Sequence, residues 1–365
     1  MVRVLFVLQR MHPNVREIHK ALTSSGIGCT FVVAGVGPSE PELFIDRVPM
    51  EHGITSAEDV RSFFNQLEPD LLIQRDFGGV FHNFWTCAKS KDIPSYVYDQ
   101  NPAQVPLLDL LVRPLRVIRF GRDSLRLRLK LGSYRRITPV EYWGSPGRWV
   151  PRNTTYIPFP MEAKAQPVFA APREKLSVLT VAKHGQKRKR VHWLLRSLAG
   201  YNNPIQLDIV GSSPPSNSRG RHAWDRKLRL AASRINPTVS SVVFHNDLNE
   251  EELSQLYSQA DVFVLPAKRE MIAISPLEAM AWGLPVLVSS DGGAVPYVSP
   301  TGKTEVFRSR SFFSFNKKLL VLLQDSRLRE TVRLKGLEAV SSTHSYSSFV
   351  SKILELHELR PLSSS

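Results

Sequence analysis

The sequence is poor in cysteine: Cys29 and Cys87 are the only two among 365 residues. Two thiols cannot build a disulfide framework, and neither sits in a Cys-x-x-Cys or Cys/His spacing suited to zinc. That usage fits a reducing, cytoplasmic compartment. Long apolar runs are missing as well. The opening MVRVLFVLQRMH is cut at Gln9 and Arg10 before a signal-peptide core forms, and no small-residue cleavage site follows, so it reads as a first β-strand. LLDLLVRPLRVI is broken by Asp109, Arg113 and Arg116, well short of the ~20 apolar residues of a membrane span. No Gly-x-Gly-x-x-Gly follows a strand, which argues against a nicotinamide dehydrogenase. Acidic side chains are in deficit, 33 against 48 lysines and arginines. The resulting net charge of +15 calls for a polyanionic neighbour, whether anionic lipid, nucleic acid or phosphorylated substrate. No RNA-recognition, zinc-finger or KH signature accompanies that charge.

What is present is a globular composition, 42% hydrophobic and 22% charged. The length exceeds one ordinary core, so two α/β domains of roughly 170 residues each are expected. Strands are expected at Val2–Leu8, Thr30–Ala34, Leu71–Gln74 and Ser95–Tyr98, with helices at Val15–Leu22 and Ala57–Leu67 between them. A second series has strands at Ser177–Ala182, Gln206–Val210, Val242–Phe244, Val262–Leu265 and Val286–Val288, and helices at Val191–Leu198, Ala223–Arg234 and Glu250–Gln259. Such alternation specifies doubly wound parallel sheets covered by helices. The stretch Pro158–Lys175, rich in Pro and Ala and without periodicity, marks the junction. Domains are expected at 1–165 and 166–345, with 346–365 a C-terminal helix and flexible tail. Ligands of such sheets bind beyond the carboxyl ends of the strands, so the site is expected in a cleft where the two sheets face each other.

The strongest local signal is DVFVLPAKREMIAISPLEAMAWGLPVLVSSDGG, Asp261 to Gly293. Ser275 suits a helix N-cap, Pro276 the first helical position, and Glu278 the third position of a capping box. Gly283 can supply the left-handed C-terminal cap, and Pro285 opens the next strand. A helix start of this kind is an anion site suited to a diphosphate. The segment resembles the Glu-x7-Glu signature of the retaining GT-B glycosyltransferases of family 4, with pattern E-G-F-G-L-x-x-L-E-A-M-A-x-G-x-P-V. Glu270, Leu277, Glu278, Ala279, Met280, Ala281, Gly283, Pro285 and Val286 match, while Met271, Ile272 and Ala273 stand where the family has Gly-Phe-Gly. The resemblance implies a GT-B fold of two Rossmann-like domains, an acceptor-side one first and a nucleotide-sugar-binding one second. It also implies transfer of a hexose from a nucleotide-diphosphate sugar with retention of configuration and without a metal or cofactor. Glu278 would bind the ribose hydroxyls and Glu270 the donor hexose, with the backbone of Met271, Ile272 and Ala273 beside it. Sugar-nucleotide epimerases share the fold and are the nearest enzymatic alternative; a polyanion-binding protein leaves the two glutamates unexplained.

After the strand Leu176–Ala182 comes KHGQKRKRVHWLLRSL. Cations at a strand end can neutralise a leaving pyrophosphate in place of a metal. The segment resembles the family's V-G-R-x-x-x-x-x-K-G-x-x-x-L, in which an Arg and a Lys hold the diphosphate. Lys183 falls on the Arg position, Lys189 on the Lys position and Leu194 on the Leu, with Arg190 in place of the Gly. A loop one residue shorter selects Arg188 instead. Lys187, Arg188 and Arg190 otherwise read as surface charge. Leu207–Pro214 and Phe244–Pro266 resemble further family segments, so the likeness spans about residues 177 to 293.

In the first half, Asn14 and Val15 stand where relatives carry Gly-Gly, which makes Asn14 a candidate donor contact at a helix start. Asp99, in Asp-Gln-Asn-Pro after the strand Ser95–Tyr98, is read either as a catalytic acid near the acceptor or as turn chemistry. Arg75 and Asp76 stand at another strand end and can simply pair; His12 and His82 are lone histidines. From Val105 to Arg136 nine basic residues face Asp109 and Asp123, a local charge of +7. Arg113, Arg116, Arg119, Arg122 and Arg126 recur at helical spacing opposite Leu115, Ile118 and Leu125, the outline of an interfacial helix. Leu125–Leu131 alternates with strand period instead. Arg116, Arg119, Arg122 and Arg126 are the candidates for holding the protein to a cytoplasmic membrane face or an anionic acceptor. The expected partners are therefore a nucleotide sugar, a saccharide or lipid-linked acceptor and an anionic membrane surface, but not nucleic acid.

Overall fold

The computed structural model describes residues 1–8, 15–33, 50–51, 54–75, 77–99, 105–106, 125, 127, 129, 131, 134–139, 148–149, 153–164, 175–212, 216–235, 240–268, 270, 273–298 and 305–359. Met1–Pro160 with Tyr346–Ser365 form one compact unit, and Met161–Ser345 form a second. The expected boundaries lay after residues 165 and 345. The last segment carries the expected helix, Tyr346–Glu358, which buries Phe349, Val350, Ile353 and Leu356 in the first unit. The Tyr96 hydroxyl donates to the Leu356 carbonyl at 2.9 Å and the Tyr346 hydroxyl to Glu17 at 2.6 Å. The RPLSSS tail lies outside the described residues.

The first unit is built on seven strands: β1 Arg3–Leu8, β2 Gly28–Val33, β3 Met50–Glu51, β4 Leu71–Gln74, β5 Ser95–Tyr98, β7 Arg135–Thr138 and β9 Thr154–Tyr156, with β6 Val105–Pro106 and β8 Arg148–Trp149 pairing separately. Sheet order is β3-β2-β1-β4-β5-β7-β9, and every pairing in it is parallel. Helices on both faces explain why β1 and β4 are apolar at nearly every position rather than alternating. Helix Ala57–Leu67 opens on a capping box between Ser56 and Asp59.

Leu125, Leu127, Leu129 and Leu131 lie on a helix. Leucine at every second position satisfies a strand period and, taken four apart, a helical one. Here Leu127 and Leu131 pack on the core, whereas Leu125 and Leu129 are 58% and 78% exposed. Arg135 and Arg136 do not belong to a basic surface: both are on β7, and buried Arg136 pairs with Asp99 at 3.3 Å. Arg113, Arg116, Arg119, Arg122, Arg126, Arg128 and Lys130 fall outside the described residues. Among those described, no helix is long and apolar enough to cross a membrane.

The second unit repeats the plan with β10 Leu176–Val181, β11 Ile205–Gly211, β12 Ser240–Asn246, β13 Val262–Leu265, β14 Val286–Ser289 and β15 Val306–Phe307, in order β12-β11-β10-β13-β14-β15 and parallel throughout. The direction of winding reverses between β10 and β13, the topological switch point of the sheet. Strand β12 is longer than the expected Val242–Phe244 because it is an edge strand, where half-exposed polar residues can continue the ladder. Helices Val191–Leu198, Phe312–Gln324 and Ser326–Ser342 bring Leu194, Leu195, Phe315, Leu319 and Val332 onto Ile205, Leu207, Val262 and Phe307.

Two backbone positions matter for the loops. Gly283 has φ 70° and closes helix Ile274–Ala281, its N–H bonding to Met280 O. Arg190 has φ 54° and ψ 29°, left-handed conformation at the position where the resembled motif has glycine. A side chain there costs roughly 1–2 kcal/mol of backbone energy. Comparing Arg190→Gly with Arg190→Ala isolates that term, because both lose the same guanidinium contacts. Denaturant unfolding should show Arg190→Gly more stable than Arg190→Ala by about 1 kcal/mol, and equal midpoints would refute a strained turn.

Candidate functional site

Two strand-end loops meet at the switch point of the second sheet. One follows β10 through Ala182–Arg190; the other follows β13 and carries Glu270. The Lys268 N–H donates to Arg188 O at 2.7 Å, and Gly293 N–H donates to Glu270 O at 2.7 Å, which ties in the turn after β14. Parallel strands end on the same side of a sheet, so all three turns are brought together by topology.

At their centre, Glu270 Oε2 lies 2.7 Å from Lys189 Nζ and also accepts from Arg188 Nη1. Lys189 is almost fully buried on the 3-10 turn Lys187–Lys189, while the Arg188 side chain is exposed. Burial draws the Lys189 ammonium below the ordinary lysine range; the Glu270 carboxylate opposes this, and Arg188 and Lys183 add to it. Lys183, exposed at the start of the loop, is therefore close enough for its charge to be felt at Lys189. Two cations therefore share one carboxylate oxygen, with the charge of Lys183 felt beside them, so positive charge is in surplus at Glu270. Arg188 is thus no idle surface charge. Nor is Arg190, which is buried, donates to Ser309 O and places its guanidinium 4.4 Å from the centroid of the Trp193 ring. Lys187 does stay exposed, 5.4 Å from the Trp224 ring centroid.

The helix before β14 departs from the expected capping. It spans Ile274–Ala281 with buried Ala273 as N-cap and no side-chain cap. The Ser275 hydroxyl donates instead to Val181 O at 3.2 Å, joining this helix to the end of β10. Glu278 Oε2 accepts from the Tyr257 hydroxyl at 2.8 Å. Tyr257 is buried, and burial followed by the adjacent carboxylate pushes its phenol well above the ordinary value, so it remains a donor. Nothing in the sequence beyond its place in the Phe244–Pro266 segment marks Tyr257, since nothing local pairs positions 257 and 278.

Asp99 belongs to the first unit, where its carboxylate is balanced by Arg136 and its N–H donates to Ile137 O at 2.9 Å. His82 is exposed on helix Val80–Ser90 beside Thr86. Asn14, Met271, Ile272, Arg116, Arg119, Arg122 and Arg126, like His12 and Asp76, are outside the described residues. Among the described residues no group of three or more His, Cys, Asp or Glu is gathered as for a metal ion.

With this geometry in view, the match to a known family falls on the same unit. Residues 163–337 match the family described as Glycosyl transferases group 1. The sulfoquinovosyl transferase SQD2 of Arabidopsis thaliana is 39% identical over 113 residues, 30% of this chain and 21% of that protein. The chain matches 15% to 40% of the length of its curated relatives. Over the whole chain, sucrose-phosphate synthase from Thermosynechococcus elongatus superposes with a TM-score of 0.71 at 17% identity, covering 98% of both chains. Anabaena HepE, solved in complex with UDP and glucose, superposes with a TM-score of 0.68 at 15% identity, covering 98% of this chain and 100% of that one. Residues 163–337 are thus similar to the Glycosyl transferases group 1 family, and the chain that carries them has the GT-B fold of two parallel-sheet α/β domains.

Proposed function

We propose that this protein is a family 4 enzyme that transfers a hexose from a nucleotide-diphosphate sugar to a saccharide or lipid-linked acceptor, retaining anomeric configuration without a metal ion. The observation that carries the reading is the surplus of positive charge around Glu270 at the switch point of the second sheet. A departing diphosphate needs its charge compensated, and preorganised cations in a partly buried site do so without reorganisation. Lys183 and Lys189 take the diphosphate, joined by Arg188. Glycine-like backbone at Arg190 favours the alignment that puts Lys189, rather than Arg188, on the motif's lysine. Glu278, oriented by Tyr257, accepts from the ribose hydroxyls. The backbone after Glu270, through Met271, Ile272 and Ala273, lies beside the sugar. HepE's complexes with UDP and glucose support a nucleotide-sugar donor, and neither the epimerase alternative nor a polyanion binder is favoured by any contact in the site.

Glu270 has two tasks in this scheme. Without donor, its carboxylate neutralises Lys189 and Arg188; with donor, the diphosphate replaces it on those cations and the carboxylate turns to the hexose hydroxyls. Thermal-shift screening should find stabilisation by one of UDP-, GDP- or ADP-sugars and none by RNA. Lys189→Ala should lower turnover by about 10²–10³-fold, as loss of one electrostatic contact to developing charge does. Glu270→Gln should also lose turnover yet bind the free nucleoside diphosphate several-fold more tightly, since a competing anion is gone. Weaker binding by Glu270→Gln in calorimetry would disprove the exchange, and an inverted anomer in the product NMR spectrum would disprove retention.

On the same reading, the segment from Arg113 to Lys130, with Arg116, Arg119, Arg122 and Arg126, holds the enzyme to the cytoplasmic face of a membrane, whereas Asp99 orients the acceptor or sugar. Support comes from Leu125 and Leu129, exposed one helical turn apart beside this basic sequence. Each Lys or Arg near an anionic bilayer contributes about 1 kcal/mol. Flotation should therefore need anionic lipid, fall with salt and weaken when Leu125 and Leu129 become Ser; equal recovery with neutral vesicles would exclude the membrane reading.

A further inference from the structure

The loop after β10 puts Lys183, Lys187, Arg188, Lys189 and Arg190 within eight residues. Like charges at this density repel, so the loop needs an anchor to hold one shape. His184, which the family resemblance leaves unmatched, lies next to Lys183 and is 0% exposed. Its Nδ1 is 2.9 Å from Asp225 Oδ1 on helix Arg219–Ala232. Its Nε2 is 2.9 Å from Asn246 Oδ1 at the end of edge strand β12. The ring stands edge-on to Phe244, with centroids 5.7 Å apart.

Its close approach depends on Gly211 at the end of β11. A Cβ there would come within 2.4 Å of Ala182 O and 2.8 Å of His184 Cδ2. The neighbouring charges are arranged so that Asp225 remains on the ring: Arg229 pairs with the other carboxylate oxygen, Oδ2, at 2.9 Å and lies over Phe244. A ring that merely filled space would have no need of a carboxylate 2.9 Å from one nitrogen and an amide hydrogen-bonded to the other, and burying such polar atoms away from partners would be costly. With no exposure, His184 does not reach a ligand itself.

We propose that His184 is a positioning residue: its ring, clamped between Asp225 and Asn246, fixes the loop that presents Lys183 and Lys189 to the donor's diphosphate. The inference rests on the donor reading of that loop. Transmission is short. Gln186 N–H bonds to Lys183 O, Lys189 N–H to Gln186 O and Arg190 N–H to Lys187 O, so the clamped residue and Lys189 belong to one hydrogen-bonded turn. Loosening the ring disperses both cations together, which weakens phosphate binding and leaves nucleoside contacts elsewhere in place.

The test is calorimetric titration of UDP, GDP and ADP and of the corresponding monophosphates, followed by donor KM and kcat. Wild type identifies the diphosphate that binds; if none does, the donor reading fails and this inference with it. For that nucleotide, His184→Phe, which keeps the packing on Phe244, and Asn246→Ala, which removes one partner from a different strand, should each weaken the diphosphate at least tenfold. The monophosphate should change by less than threefold, and donor KM should rise more than kcat falls. Combined with the double variant Lys183→Ala and Lys189→Ala, His184→Phe should add less than twofold, because it acts through those lysines. Unchanged diphosphate affinity and KM in both variants, with only a lower melting temperature or a smaller active fraction, would reduce His184 to a packing residue. Full additivity with the lysine double variant would equally overturn the assignment.

Discussion

One carboxylate oxygen, Glu270 Oε2, holds two cations, and the remainder of the site is arranged around that contact. Burying Lys189 is unfavourable by itself, as the downward pull on its ammonium shows, and Glu270 offsets the cost. A partly buried pair of this kind is held in place while one partner is available and is exchangeable for a stronger anion. The surplus cations beside it distinguish it from an ordinary structural salt bridge, which would be balanced.

The pair can form because two distant segments end on the same side of one parallel sheet. β10 and β13 are neighbours across the switch point, so residues 188–189 and 270 approach although about 80 positions separate them. Backbone bonds from Lys268 to Arg188 and from Gly293 to Glu270 then fix the loops to each other. Ser275, by spending its hydroxyl on Val181 O, joins the following helix to the same strand end. Tyr257 fixes Glu278 from one side, leaving the carboxylate's direction set by a buried phenol rather than by the helix.

The same structure shows how charge is used in three ways. Lys183 and Arg188 remain exposed around the site. Lys189 and Arg190 are buried and individually matched, by Glu270 and by Ser309 O with Trp193. Arg136 is buried in the other unit against Asp99, where its role is to neutralise a strand-end carboxylate. A net charge alone cannot separate these uses, because it counts guanidinium groups without regard to what faces them.

Much of the scaffold was legible in the sequence, since strand and helix periods are local: β1, β4, β5, β13 and the helices from 57, 191 and 250 lie where the apolar spacing puts them. Glu270, Glu278 and Lys189 could be singled out for the same reason, as spacings within two short segments. What spacing left undecided was settled by partners distant in the chain. Glu278 looks like a capping residue until Tyr257 takes its carboxylate; Ser275 looks like a cap until Val181 O takes its hydroxyl. Arg188 and Arg190 look alike as a charge run, but one meets Glu270 and the other Ser309. Leu125–Leu131 fits two periods, and only packing on the first unit's core chooses the helix. His184 carries no local signal at all, for its acceptors lie on helix Arg219–Ala232 and β12. The sequence by itself therefore determined the elements and named the chemistry-bearing residues, because period and spacing act over a few residues. Only the tertiary structure decided which charges are matched and which are in surplus, because a side chain's ionic partner is chosen by strand order and burial.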